Sequence, residues 1–164
     1  MNPRHLVIVT FLLVLILAGC VGYAPHQRLL GQDRTALTAD MGLPEREYES
    51  QGLKKLHFPR GPSGSHTYFV YLDSNERVIR WEQVLTEERF DTIRSGMTRE
   101  QVIDTLGISK ITNELARDRG YVWHYRYQNE VCRSFMVEFT AANIVRSTHY
   151  IIRGGRRCKY VGPG

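Results

Sequence analysis

Two stretches of twelve residues, GQDRTALTADMG at 31–42 and GMTREQVIDTLG at 96–107, lie 65 positions apart with the same punctuation. Each opens and closes on glycine, with arginine fourth and apolar residues seventh and eleventh. Glycine commonly stands just past a helix end, because it accepts a left-handed backbone at no steric cost. Asp33 and Thr98 stand where an N-cap belongs, and Thr98 with Gln101 has the capping-box spacing. Leu37 and Met41 in one stretch, and Val102, Ile103 and Leu106 in the other, fall on one helical face. The pattern predicts two short helices, stopped at Gly42 and Gly107, one in each copy of a repeated unit.

After each helix the apolar period changes from 3.6 to 2. YVWHYRY puts Tyr121, Trp123, Tyr125 and Tyr127 on one face, RSFMVEF does the same with Phe135, Val137 and Phe139, and a turn at 141–143 leads into IVRSTHYII. KKLHF, TYFVYL, a turn at 73–75 and RVIRWEQVL answer them in the first copy at offsets of 66 to 67, His57 matching His124. PRGPSGS at 59–65 reads as a flexible loop. Ahead of the second helix, TEERFDTIRSG predicts another, capped by Thr86, burying Phe90 and Ile93 and ending at Gly96. Only PHQRLL is available for that role in the first copy. The expected fold is therefore α+β: two tandem helix–helix–three-stranded antiparallel sheet modules at residues 31–85 and 86–152. Units of about 60 residues are marginal alone. The two should pack together, and one continuous sheet with the helices on one face is the expected arrangement.

Residues 1–19 carry Arg4 and then LVIVTFLLVLILA, which is shorter than the roughly 20 residues that span a bilayer. This is the pattern of a secretory signal. Its end, Leu17-Ala18-Gly19-Cys20, resembles the lipobox of bacterial lipoproteins. That resemblance implies palmitate or a similar acyl chain on Cys20, and Val21 after it implies an outer-membrane address. Two or more acyl chains would hold the protein stably. An ordinary signal peptide with a structural cysteine is the other reading. Residues 20–30 read as the lipidated tether. Without residues 1–19 the net charge is +4 (21 minus 17).

Cys132 and Cys158 remain. An even count in an exported chain favours a disulfide; two free thiols or a bridge to another protein are the alternatives. With the full chain at only +5 and no alternation of basic and aromatic residues, no nucleic-acid partner is expected. No His-Glu-x-x-His or Gly-x-Ser-x-Gly context occurs, so no catalytic residue, metal or cofactor is assigned. His124 and His149 could form a two-histidine site if their strands were neighbours, or stand as separate sheet-surface residues. The aromatics divide between core and interface. Tyr125, Arg126 and Tyr127, with Arg146, are the candidates for binding a protein partner. The tail at 153–164 offers Arg153, Arg156, Arg157 and Lys159 to anionic phospholipid headgroups, or simply to solvent.

FDTIRSGMTREQVIDTLG at 90–107, followed by an aromatic strand, resembles the signature of the SmpA/OmlA (BamE-like) family of small outer-membrane lipoproteins. The resemblance is firm over 86–152 and faint over 31–85. It implies a lipid-anchored, non-enzymatic binding protein on the periplasmic face of the outer membrane. The implied role is a scaffold in β-barrel assembly or envelope integrity, with the barrel-assembly machinery as partner. The tandem arrangement also resembles the β-lactamase inhibitor protein, which implies instead an inhibitor of a periplasmic or extracellular hydrolase.

Overall fold

The computed structural model describes residues 22–50, 52–116, 119–129 and 132–152. A 3-10 turn at Gln27–Leu29 leads into α1 (Arg34–Met41), β1 (Arg46–Ser50), β2 (Leu53–Arg60), β3 (His66–Leu72) and β4 (Val78–Gln83). Then come α2 (Glu87–Phe90), α3 (Arg99–Leu106), β5 (Thr112–Glu114), β6 (Tyr121–Arg126), β7 (Arg133–Phe139) and β8 (Val145–Ile152). The strands form two antiparallel four-stranded meanders, β1-β2-β3-β4 and β5-β6-β7-β8. The chain is α+β.

The helix signals act as their residue types dictate. Asp33 accepts from the Ala36 amide at 3.0 Å, and Thr98 and Gln101 close a reciprocal capping box. Each helix entry is tied to the last strand of its own sheet. The Gly31 amide donates to Val78 and the Gly96 amide to Val145, and bridges Asp33↔Arg77 and Thr98↔Ile144 flank these bonds.

Four expectations are corrected. Each sheet has a fourth, edge strand; β1 (REYES) and β5 (TNE) are short and polar, so no buried alternation announces them. The helix expected to run to Gly96 is a single turn ending at Phe90, although Ile93 is still buried; PHQRLL likewise yields only a 3-10 turn. Pro59 and Arg60 belong to β2, beyond the last residue of β2 that pairs with β1, so the missing proline amide breaks no ladder bond. Finally, the sheets are separate rather than continuous.

A helical layer lies between them. Leu37 and Met41 of α1 pack on one face of the first sheet with Leu56, Phe58, Tyr68, Val70 and Leu72. From its other face, Phe69 and Tyr71 join the core of α2, α3 and the second sheet. Thus α3 is covered on two sides. Glu100 and Asp104 meet Arg46, Tyr48 and Lys55 of the first sheet, while Val102 and Leu106 are buried with Trp123, Tyr125, Val137 and Phe139 of the second. Each such apolar side chain contributes about 1.5–3 kcal/mol on burial.

Candidate functional site

The four residues expected to meet a partner are not brought together. Tyr125 and Tyr127 are 3% and 5% exposed and belong to the core. The Tyr125 hydroxyl donates to the Gly107 carbonyl at 2.8 Å, and that of Tyr127 to Glu87 at 2.6 Å. Burial first, and for Tyr127 the Glu87 carboxylate as well, raise both phenols well above their ordinary range. Strand alternation turns Arg126 to the opposite side of the sheet, where it reaches Ser63 Oγ at 3.4 Å. Arg146, on β8, donates to Glu138 at 2.8 Å. Strand β7 separates the two arginines. It also separates His124 from His149, which both register with Met136; two strand spacings are about 9.5 Å, so they are not neighbours. Among the described residues no group of three or more His, Cys, Asp or Glu could hold a metal ion. Cys20, Cys158, Arg153, Arg156, Arg157 and Lys159 lie outside the described residues. Cys132 directly precedes the Arg133↔Ile152 pair.

Two clusters had no signal in the sequence pattern. The first joins the layers. Lys55, only 5% exposed, donates to the carboxylate and the carbonyl of Asp104 at 2.8 and 2.6 Å and sits 4.2 Å from the Phe69 ring centroid. Tyr48 gives its hydroxyl proton to the same carboxylate. His57 stacks on Phe69 at 4.1 Å, with Nε2 at 3.3 Å from the Tyr48 oxygen. That geometry puts the ring proton on Nε2 and leaves Nδ1 a bare acceptor without a partner. Burial foremost, then the Lys55 and Arg46 cations, push the His57 pKa down to about 3. Burial also lowers Lys55, against the pull of Asp104. Burial pushes Asp104 up, but hydrogen bonds from Lys55 and Tyr48 more than offset it, so its carboxyl is lowered. This closed cluster clamps α3 to the first sheet and offers no open nucleophile.

The second cluster borders open space. Between the start of α3, the β5–β6 hairpin and the β7–β8 turn lies a cleft of about 650 Å³, lined among others by Arg99, Ile108, Thr112, Tyr121, Trp123 and Asn143. The Arg99 guanidinium lies 5.5 Å from the Trp123 ring centroid, and its Nε is buried without a hydrogen-bond partner among the described residues. Periodicity gave no warning of this, because Arg99 is a polar residue in a helix's first turn.

Residues 82–149 match the family model described as the outer membrane protein assembly factor BamE domain. That span runs from β4 through β8 and takes in both helices of the second unit. No curated protein matches the chain significantly. Three solved structures resemble it loosely. An extracellular protein containing an SCP domain from Bacillus anthracis is 13% identical, with a TM-score of 0.33, 80% of this chain covered and 46% of that one; this chain therefore spans less than half its length. A DUF4309-family protein (YjgB) from Bacillus subtilis is 11% identical, with a TM-score of 0.31 and coverage of 80% and 88%. A putative beta-lactamase inhibitor protein from Streptococcus mutans is 10% identical, with a TM-score of 0.33 and coverage of 73% and 82%. Likenesses this distant say nothing about function. Over its second unit the chain is similar to the outer membrane protein assembly factor BamE domain, in keeping with a BamE/SmpA-like family, and the first unit repeats its element order outside the matched residues.

Proposed function

We propose that the protein is a non-enzymatic, lipid-anchored scaffold that binds a protein partner at the periplasmic face of the outer membrane, in β-barrel assembly or envelope maintenance. One observation carries this reading: the BamE-domain match takes in both helices of the second unit and its sheet as far as residue 149 in β8. Cys20 at the end of LAGC supplies the anchor, and Arg153, Arg156, Arg157 and Lys159 lie against anionic headgroups beside it. Cys132 and Cys158 pair and hold the tail to the start of β7. Arg126 and Arg146 contact the partner from the sheet surface, with Tyr125 and Tyr127 fixing the strand that carries Arg126.

A mild-detergent pull-down of the lipidated protein from its own envelope, read by mass spectrometry, tests this. Recovery of barrel-assembly components is expected. Their absence, with a hydrolase bound instead, would overturn the assembly role in favour of an inhibitor. Cys20→Ala should release the protein from outer-membrane fractions, and unchanged fractionation would end the lipoprotein reading.

A further inference from the structure

The two units place the same arginine in different company. In the first, Arg34 holds both oxygens of Glu47 and reaches Glu76 at 3.1 Å, while Lys54 pairs with the other oxygen of Glu76. The equivalent positions in the second unit follow from register. Glu47 pairs with Leu56 and Thr112 with Trp123, its counterpart. Glu76 and Asn143 occupy the corresponding hairpin turns, both at positive φ (59° and 62°). Lys54 corresponds to Tyr121, whose hydroxyl donates to Asn143 at 2.6 Å just as Lys54 donates to Glu76. Both carboxylates and the lysine have thus become neutral residues, and Arg99 alone keeps its charge. Where the first unit has an ionic lock, the second has the cleft. Arg119 adds a second cation to its lining, and Glu114 is the only carboxylate lining it among the described residues.

A guanidinium whose Nε is out of water and lacks an acceptor is costly, and a carboxylate taking Nε–H and an Nη–H together is the matching ligand. We propose that this cleft binds a side-chain carboxylate of an acidic peptide segment, with Arg99 as its anchor. Trp123 covers the guanidinium face, and Ile108 and Leu115 form apolar walls for the residues flanking the acid. The first unit supplies the template, since two glutamates satisfy the same arginine there. The apolar walls favour a peptide over a bare anion. The site does not depend on which machinery supplies the peptide, so it can fail or stand apart from the assembly role.

The test uses the full-length protein in detergent micelles and a fluorescent, end-capped pentapeptide bearing one glutamate between phenylalanine and leucine. Its glutamine counterpart and inorganic phosphate serve as competitors. Saturable binding of the glutamate peptide is expected, with the glutamine version weaker by about tenfold or more, as loss of a charge-assisted pair implies. Arg99→Gln should weaken binding as much, and Arg34→Gln should leave it unchanged. The double variant Thr112→Glu/Asn143→Glu rebuilds the first unit's lock; it should abolish binding without lowering the melting temperature. Equal binding of the two peptides, displacement by phosphate as readily as by peptide, or full binding by the double variant would each overturn the proposal.

Discussion

The core under α1 is built from residues 29 to 81 of the first unit alone, whereas the core around α2 and α3 takes in Phe69, Tyr71, Val84 and Leu85 from the first unit's chain. One element order thus gives two unequal units. The first sheet is covered on both faces, by α1 and by α3, so its strands bury residues of both parities; six of the seven residues of β3 are buried. In β7 buried and partly exposed residues largely alternate. A repeated unit does not imply a repeated environment, and stacking makes the second unit depend on the first.

The widest test of this dependence is Phe90→Ala. Phe90 stacks on Phe135 at 4.6 Å and meets Tyr127 edge-on at 4.9 Å, so its loss should cost about 3–5 kcal/mol in chemical denaturation. Leu29→Ala, in the matching turn of the first unit, should cost less; a reversed order would break the comparison. Next is the clamp between layers. Asp104→Ala leaves the Lys55 ammonium, at 6% side-chain exposure, without a counter-charge and with only the residue-104 carbonyl as acceptor, and should cost about 3 kcal/mol. Lys55→Met leaves Asp104 half in water and should cost clearly less. Equal losses would mean that Lys55 finds another partner.

The same clamp predicts a pH dependence. The His57 pKa falls from 6.5 to about 3 on folding, so between those values the unfolded chain takes up a proton that the folded one refuses. Stability should fall as pH drops below about 6.5, by up to about 1.4 kcal/mol per unit. Denaturation midpoints of wild type and His57→Gln across pH 4–7 check this, and parallel profiles would refute it. The smallest effect separates the two helix stops. Gly42 and Gly107 have φ of 78° and 80°, which disfavours alanine at both by about 1 kcal/mol. A Cβ at Gly42 meets nothing within 4 Å, but at Gly107 it comes 3.1 Å from Thr67 Cγ2 and 3.6 Å from Phe69. Gly107→Ala should therefore lower the melting temperature more than Gly42→Ala. Equal shifts would show that α3 is not held against the first sheet.

Caps, glycine stops and strand alternation were legible because they are local. Asp33, Thr86 and Thr98 need only their own next three amides, and the buried faces of β6 and β7 follow from period two. The edge strands were not legible, since polar residues join a sheet through backbone bonds that leave no side-chain pattern. Tyr125 and Tyr127 show the same limit from the other side: alternation says that they share a face with Trp123, but not whether that face is covered.

The sequence by itself determined the caps and glycine stops of α1 and α3 and the residues that share each strand face, because these depend on contacts a few residues apart. Only the tertiary structure decided that α3 lies between two sheets, that Lys55 is buried against Asp104, and that Arg34 is paired while Arg99 Nε has no partner among the described residues. Those outcomes join residues 13 to 49 positions apart, or leave a gap where such a partner would stand. A charge's company at that range is set by packing, and no local spacing encodes it.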